Sequence, residues 1–157
     1  MGADRGCPPY PNDGWTLPMA FADIPAGTRD ALLRQAGFHG AGTAWKGCDG
    51  MSDVSFADSM VQDLNGDGRA EVIVIDQGTG CYGMTGTGFR IFAATPGGWT
   101  LMDENSGIPT FLPGKGAGNF PDIEVGGPGF CFPVERWNGT HYAIVGYAYD
   151  GKACTPP

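Results

Sequence analysis

The sequence has few basic residues and few histidines. It contains 9 Lys and Arg against 17 Asp and Glu, a net charge of -8, and its two histidines are His39 and His141. Nucleic acids and anionic membrane surfaces are bound by clustered Lys and Arg, so neither is an expected partner. No apolar run is long enough for a membrane span, and no C-x-x-C pair supports a zinc site.

Signatures of catalysis are also scarce. The serines lie outside any nucleophile-elbow motif, neither histidine has the setting of a general base, and no cofactor motif is present. Whether the chain is an enzyme stays open, and we expect that it is not. One alternative is a small extracellular hydrolase using a carboxylate pair from Asp122, Glu124 and Glu135, since such pairs are defined by distance in the fold. Another is a secreted hydrolase inhibitor presenting residues 76–88.

Glycine and proline are abundant. The 157 residues include 28 Gly and 13 Pro, while 41% are hydrophobic and 11% aromatic. Many turns with enough apolar residues for a core predict a compact domain of short strands. We therefore predict an extended N-terminal arm at residues 1–20 and one compact domain at 21–157. Its fold class is mainly β (β-rich α+β), with antiparallel hairpins and one N-terminal helix.

Turn and cap residues place several of these elements. The helix is predicted to be capped by Thr28 and to end at Gly37. One hairpin is predicted over 89–102, turning at Pro96-Gly97, and another over 130–149, turning at Asn138-Gly139. The remaining segments are predicted as a strand at 54–61, loops at 76–88 and 103–118, and a strand at 122–125 with a solvated acidic face.

The richest motif is residues 63–71, which precede the apolar run 72–75. Side-chain oxygens occur at loop positions one, three, five and nine, and a backbone carbonyl is available at position seven. Hard cations such as Ca²⁺ prefer this all-oxygen set. The predicted ligands are Asp63, Asn65, Asp67, the Arg69 carbonyl and Glu71, with a strand following where an EF-hand would place a helix.

A turn without metal is the alternative interpretation of this motif. Asp, Asn and Gly are ordinary turn residues. The alternating carboxylates favour calcium, because clustered carboxylates repel one another without a cation.

Two resemblances to known families are present, of which the first bears on the calcium interpretation. Residues 63–72, Asp-Leu-Asn-Gly-Asp-Gly-Arg-Ala-Glu-Val, resemble the calcium loop of FG-GAP/VCBS-type repeats, which links two strands of a propeller blade. A propeller is not implied, because the motif occurs once. Residues 37–154 also resemble a family of uncharacterised bacterial secreted proteins, which implies a β-rich fold and a secreted or periplasmic location. The matching segments are 45–48, 63–72, 81–83, 86–89, 121–133 and 136–139.

Five cysteines predict two disulfides and one spare thiol in an oxidising compartment. Cys7 is the expected odd one, because it lies in a proline-rich segment outside the resemblance. We favour Cys48 with Cys81 and Cys131 with Cys154, although the sequence leaves other pairings open. Export predicts that a signal peptide preceded this sequence and has been removed.

Aromatic residues gather on the last predicted hairpin. An exposed aromatic row can stack on sugars or anchor a protein, and core packing of some members is the alternative. The residues are Trp137, His141, Tyr142, Tyr147 and Tyr149. The predicted function is a secreted or periplasmic, calcium-binding, disulfide-stabilised domain with a binding or envelope-associated role, whose partner is a protein or a glycan.

Overall fold

Two antiparallel β-sheets form the framework of the protein. The computed structural model describes residues 8–157, so Cys7 lies outside the described residues. The predicted mainly β fold with antiparallel hairpins is confirmed. No helix within residues 8–157 combines the length and apolar character that crossing a membrane requires.

The first sheet, sheet A, has eight strands and the second, sheet B, has five. Sheet A consists of β1 (Met19–Ala20), β2 (His39–Ala41), β3 (Ala44–Gly47), β4 (Ser52–Val54), β5 (Met60–Gln62), β6 (Glu71–Gln77), β7 (Thr87–Thr95) and β8 (Gly98–Ser106). Sheet B consists of β9 (Ile108–Lys115), β10 (Pro121–Gly126), β11 (Phe132–Trp137), β12 (Tyr142–Tyr149) and β13 (Lys152–Ala153). The helices are α1 (Ala26–Gln35) and the four-residue α2 (Thr79–Tyr82).

Strand β6 is the centre of the molecule. It pairs with β7 along one edge and with β5 and β4 along the other. Successive side chains of a strand point to opposite faces. Val72 and Val74 accordingly join a core with helix α1, whereas Ile73 and Ile75 join the core between the two sheets. The continuous β-branched run is the pattern of a strand buried on both faces.

Helix α1 starts earlier than predicted. Its N-cap is Pro25, and Thr28 lies inside the helix, so the predicted cap was wrong. The main-chain N–H of Arg29 donates to the carbonyl of Pro25 over 2.9 Å, and the restricted φ of proline suits a helix start. Leu32 and Leu33 are fully buried beneath sheet A.

Several segments predicted as loops or strands were assigned wrongly. Residues 103–118 are not a long loop, because β8 continues to Ser106 and β9 pairs with β10. Pro109 and Pro113 are tolerated because β9 is an edge strand, where a missing N–H costs no ladder bond. The predicted strand 54–61 is interrupted by a turn, and segment 76–88 contains α2 and parts of β6 and β7.

Both predicted hairpins are present. Strands β7 and β8 are joined between Thr95 and Gly98. Strands β11 and β12 are joined by residues 138–141, where the main-chain N–H of Asn138 donates to the carbonyl of His141 over 3.0 Å. Strand β11 lies inside sheet B with a bulge after Val134, and a bulge is one of the few settings that accept a proline such as Pro133.

Two disulfides fasten the ends of strands. Cys48 is bonded to Cys81 and Cys131 to Cys154, which is the pairing that the sequence analysis favoured. The first bond ties the end of β3 to helix α2, and the second ties the start of β11 to the C-terminal segment. Such bonds fit an oxidising compartment.

Candidate functional site

The predicted calcium loop connects β5 to β6 and is organised around Asp63. The Oδ1 atom of Asp63 accepts hydrogen bonds from the main-chain N–H groups of Gly66 (2.9 Å) and Asp67 (3.2 Å). Its Oδ2 atom accepts one from Gly68 over 2.8 Å. Gly66 and Gly68 have φ of 76° and 86°, a left-handed conformation that glycine adopts without strain. The sequence Asp-x-x-Gly-x-Gly thus folds the loop around one carboxylate.

The side chain of Arg69 points out of the loop and contacts the N-terminal arm. Its Nη1 atom donates to Oδ1 of Asn12 over 2.9 Å and to Oδ1 of Asp13 over 3.0 Å. The guanidinium group also lies 3.7 Å from the ring centroid of Tyr10, which is cation–π geometry. The loop motif predicted a role only for the Arg69 carbonyl, so this side-chain contact was missed.

Glu71 is a carboxylate buried at the first position of β6. It is 3% exposed, and its Oε1 atom accepts the main-chain N–H of Leu64 over 2.8 Å. Burial raises the pKa of Glu71 and the charges of Asp67 and Asp63 add to this effect, against a lowering by the Leu64 N–H, so that the pKa moves from 4.5 to about 8. A bound cation would favour the ionised form of this group.

Asn65 has a buried oxygen with no hydrogen-bond donor. Within the described residues, its Oδ1 atom accepts no hydrogen bond. The rest of the residue is held by the β9–β10 loop of sheet B. Asn65 Nδ2 donates to the carbonyl of Gly118 over 3.2 Å, and Asn119 Nδ2 donates to the carbonyl of Asn65 over 3.1 Å. Buried acceptors are nearly always satisfied, so this oxygen calls for a partner such as a metal ion.

The donor set of the loop suits a hard cation, but its side chains are turned towards backbone N–H groups. Three carboxylates and one amide oxygen are the chemistry that Ca²⁺ prefers. Across residues 8–157, no three His, Cys, Asp or Glu side chains converge as metal ligands. Asp67 instead accepts the main-chain N–H of Arg69 over 2.8 Å. The loop therefore supplies oxygen ligands of a suitable kind, but a cation would have to turn their side chains away from the backbone N–H groups.

The three carboxylates of the hydrolase alternative lie in different surroundings. Asp122 is 5% exposed and forms a two-point ion pair with Arg136, at 2.9 and 2.8 Å. Its predicted solvated position was wrong, because β11 brings an arginine beside it. Glu124 is half-buried on β10, and Glu135 is buried on β11 beside Asp103 of sheet A.

The aromatic residues of the last hairpin divide between core and surface. Trp137 and Tyr142 pack into the core between the sheets. Tyr149 is 47% exposed, and its ring centroid lies 6.0 Å from that of Phe130 and 5.9 Å from that of Phe132. Phe130 is 58% exposed and was not in the predicted set. The exposed apolar residues of this region are therefore Phe130, Ile144, Val145 and Tyr149.

Family models, curated proteins and solved structures were each compared with the chain, and none of them matches it. The calcium loop and the family resemblance accordingly stay predictions from the sequence.

Proposed function

We propose that the protein is a secreted or periplasmic domain that binds Ca²⁺ in the loop at residues 63–71. The ligands are the side chains of Asp63, Asn65, Asp67 and Glu71 and the main-chain carbonyl of Arg69. The observation that carries the proposal is the buried Oδ1 atom of Asn65, which has no donor among residues 8–157. A cation satisfies this oxygen, whereas a metal-free turn leaves it unpaired.

The role of the ion is structural. Calcium supplies positive charge that offsets the repulsion among the loop carboxylates. Asn65 also contacts Gly118 and Asn119 of the β9–β10 loop. Calcium binding therefore fixes the β5–β6 loop of sheet A against sheet B.

Thermal unfolding with excess calcium and with chelator tests this proposal. At a free concentration about a hundred times Kd, calcium should stabilise the fold by roughly 2.7 kcal/mol, which raises Tm by several degrees. Asp67→Ala should abolish the shift. Asp53→Ala is the matched control, since Asp53 is a highly exposed carboxylate on β4 paired with Lys46, and it should keep the shift. Absence of a shift in the unaltered protein overturns the proposal, as does a full shift in Asp67→Ala.

The stabilised domain has a binding role at its exposed apolar surface. Phe130 and Tyr149 are half-exposed and stacked edge to face. Ile144 and Val145 on the same strand, β12, are also exposed, at 54% and 56%. Contiguous exposed apolar groups commonly mark interaction sites, and stacked aromatic rings suit sugars or a protein surface.

Sedimentation with isolated bacterial envelopes, together with a glycan array, tests the binding role. Phe130→Ser and Tyr149→Ser should each lose most of the binding to envelopes or glycans. Leu101→Ser is the control, because Leu101 is an exposed apolar residue (43%) on sheet A. Equal binding by the unaltered protein and the three variants would mean that this surface is not the binding site.

The geometry does not favour the hydrolase alternative. Asp122 is neutralised by Arg136, and Glu135 lies within hydrogen-bonding reach of Asp103. Glycosidases hold their two carboxyl groups about 5–9.5 Å apart, so that sugar and water fit between them. A carboxyl pair in mutual contact lacks that space.

A further inference from the structure

Strands β8 and β11 bring two carboxyl groups together across the interface between the sheets. Asp103 belongs to sheet A and Glu135, which is 6% exposed, to sheet B. One oxygen of each group is satisfied. The main-chain N–H of Glu104 donates to Asp103 Oδ1 over 3.0 Å, and Asn105 Nδ2 donates to Glu135 Oε2 over 3.2 Å. The other two oxygens, Asp103 Oδ2 and Glu135 Oε1, are buried without a donor from residues 8–157.

A proton shared by Asp103 Oδ2 and Glu135 Oε1 satisfies both oxygens and removes the repulsion between two ionised carboxylates. Two ionised carboxylates in contact repel strongly in a buried setting, whereas a carboxylic acid donates a short, strong hydrogen bond to a carboxylate. Burial, and after it the neighbouring Asp103 carboxyl, raise the pKa of Glu135 from 4.5 to about 8. Burial also raises the pKa of Asp103.

No described cation compensates the pair. Arg90 is engaged by Glu104 (2.7 Å), and Arg136 is engaged by Asp122. The hydroxyl of Tyr142 donates to the carbonyl of Pro121 over 2.9 Å, so it is not directed at the pair. The other titratable groups of the neighbouring strands that act on the pair or on Tyr142 are acids, namely Glu104 on β8, Glu71 on β6 and Asp122 on β10. None of these groups supplies the positive charge that would favour ionisation of the pair, so the proton is retained.

We propose that a proton shared between Asp103 and Glu135 joins sheet A to sheet B, making the interface tight in mildly acidic surroundings and looser as the pH rises. The folded protein then keeps a proton that the unfolded chain loses, because in the unfolded chain both carboxyl groups have their ordinary pKa. The contribution of the pair to the free energy of unfolding is at its maximum below about pH 4.5 and is lost as the pH rises through about 8. The device is separate from the calcium loop.

Carboxyl ¹³C NMR of the unaltered protein tests the proton directly. With side-chain carboxyl labels, the Glu135 signal should titrate near pH 8 instead of near 4.5. The signal is assigned from its absence in Glu135→Gln. A Glu135 midpoint near 4.5 overturns the proposal, and the titration itself is followed on the unaltered protein.

Thermal unfolding between about pH 5 and pH 8.5 tests the consequence for the fold. The comparison uses Glu71→Gln as the parent, because Glu71 is the other buried carboxyl with a raised pKa. Tm of this parent should fall by several degrees as the pH rises. Adding Glu135→Gln should flatten the profile, because an amide donates to Asp103 at every pH. Adding Glu124→Gln, on the adjacent strand β10, should leave the slope unchanged.

Two further outcomes contradict the shared proton. One is an equal slope with and without Glu135→Gln. The other is a Glu135 titration that moves when calcium is added to the Glu71→Gln protein, since a cation would then occupy the position assigned to the proton.

Discussion

The side-chain amide of Asn12 donates a 3.0 Å hydrogen bond to the main-chain carbonyl of Ala70, a residue 58 positions further along the chain. The Oδ1 atom of the same side chain accepts Nη1 of Arg69 over 2.9 Å. Asn12 is 6% exposed. The N-terminal arm is thus fastened where the proposed calcium loop passes into β6.

Replacing Asn12 should weaken the fold more than replacing its neighbour. Asn12→Ala leaves the buried Ala70 carbonyl without a donor and should lower the free energy of unfolding by about 1–3 kcal/mol. Asp13→Ala removes a partly exposed ion pair to Arg69 and an exposed hydrogen bond from the Tyr10 N–H, and it should cost less than about 1 kcal/mol. Urea unfolding of both variants measures the difference, and equal losses would mean that the buried amide contributes nothing specific.

The core between the sheets should be sensitive to truncation of β6. Ile73 is fully buried, whereas Ile144 on β12 is 54% exposed. Ile73→Ala should cost about 2–5 kcal/mol because it leaves a cavity. Ile144→Ala should change stability by less than about 0.5 kcal/mol. Chemical unfolding compares them, and a large loss for Ile144→Ala would show that its exposed position has been misjudged.

The parts of the fold that the sequence predicted are those encoded locally. Residues 72–75 predict a strand because their β-branched side chains follow one another without a break, and Asn138-Gly139 predicts a hairpin by its turn chemistry. Strand β9 was missed because Pro109 and Pro113 argue against a strand. Only its edge position, which depends on the whole sheet, makes those prolines acceptable.

The candidate site likewise has local features that the sequence predicts and long-range contacts that it does not. The loop donors and its two glycines lie within nine residues, so their spacing was visible in the sequence. The contact between Arg69 and Asn12 was not visible, because it joins residues 57 positions apart. The pair of Asp103 and Glu135 likewise exists only because the two sheets stack. No local pattern reports such contacts.

Tyr82 should make stability depend on pH in the alkaline range. Its hydroxyl donates to Oδ2 of Asp76 over 2.7 Å, and Asp76 is 1% exposed. The absence of a side chain at Gly88 leaves room for the ring. Burial, and then the Asp76 carboxylate, raise the pKa of Tyr82 from 10 to about 12. The stability from its protonated form is complete below about pH 10 and is lost as the pH rises through about 12.

Tyr82→Phe should therefore remove part of the alkaline loss of stability. Urea unfolding at about pH 9 and about pH 11.5 brackets the titration. The unaltered protein should lose more stability between these values than Tyr82→Phe does. Tyr149→Phe, on the exposed side of sheet B, should behave like the unaltered protein. The same loss in all three proteins would assign the alkaline effect to other groups.

The two disulfides should contribute almost equally to stability. They link residues 33 and 23 positions apart. The chain-entropy model gives about 3.7 and 3.4 kcal/mol for loops of these lengths, because the stabilisation grows only with the logarithm of loop length. Unfolding of the paired variants Cys48→Ala with Cys81→Ala, and Cys131→Ala with Cys154→Ala, measures the two values. A difference above about 1 kcal/mol would contradict a mainly entropic origin. Such a difference would mean that the larger loss comes from packing in the folded state, for which Cys131, at 5% exposure, is the first candidate.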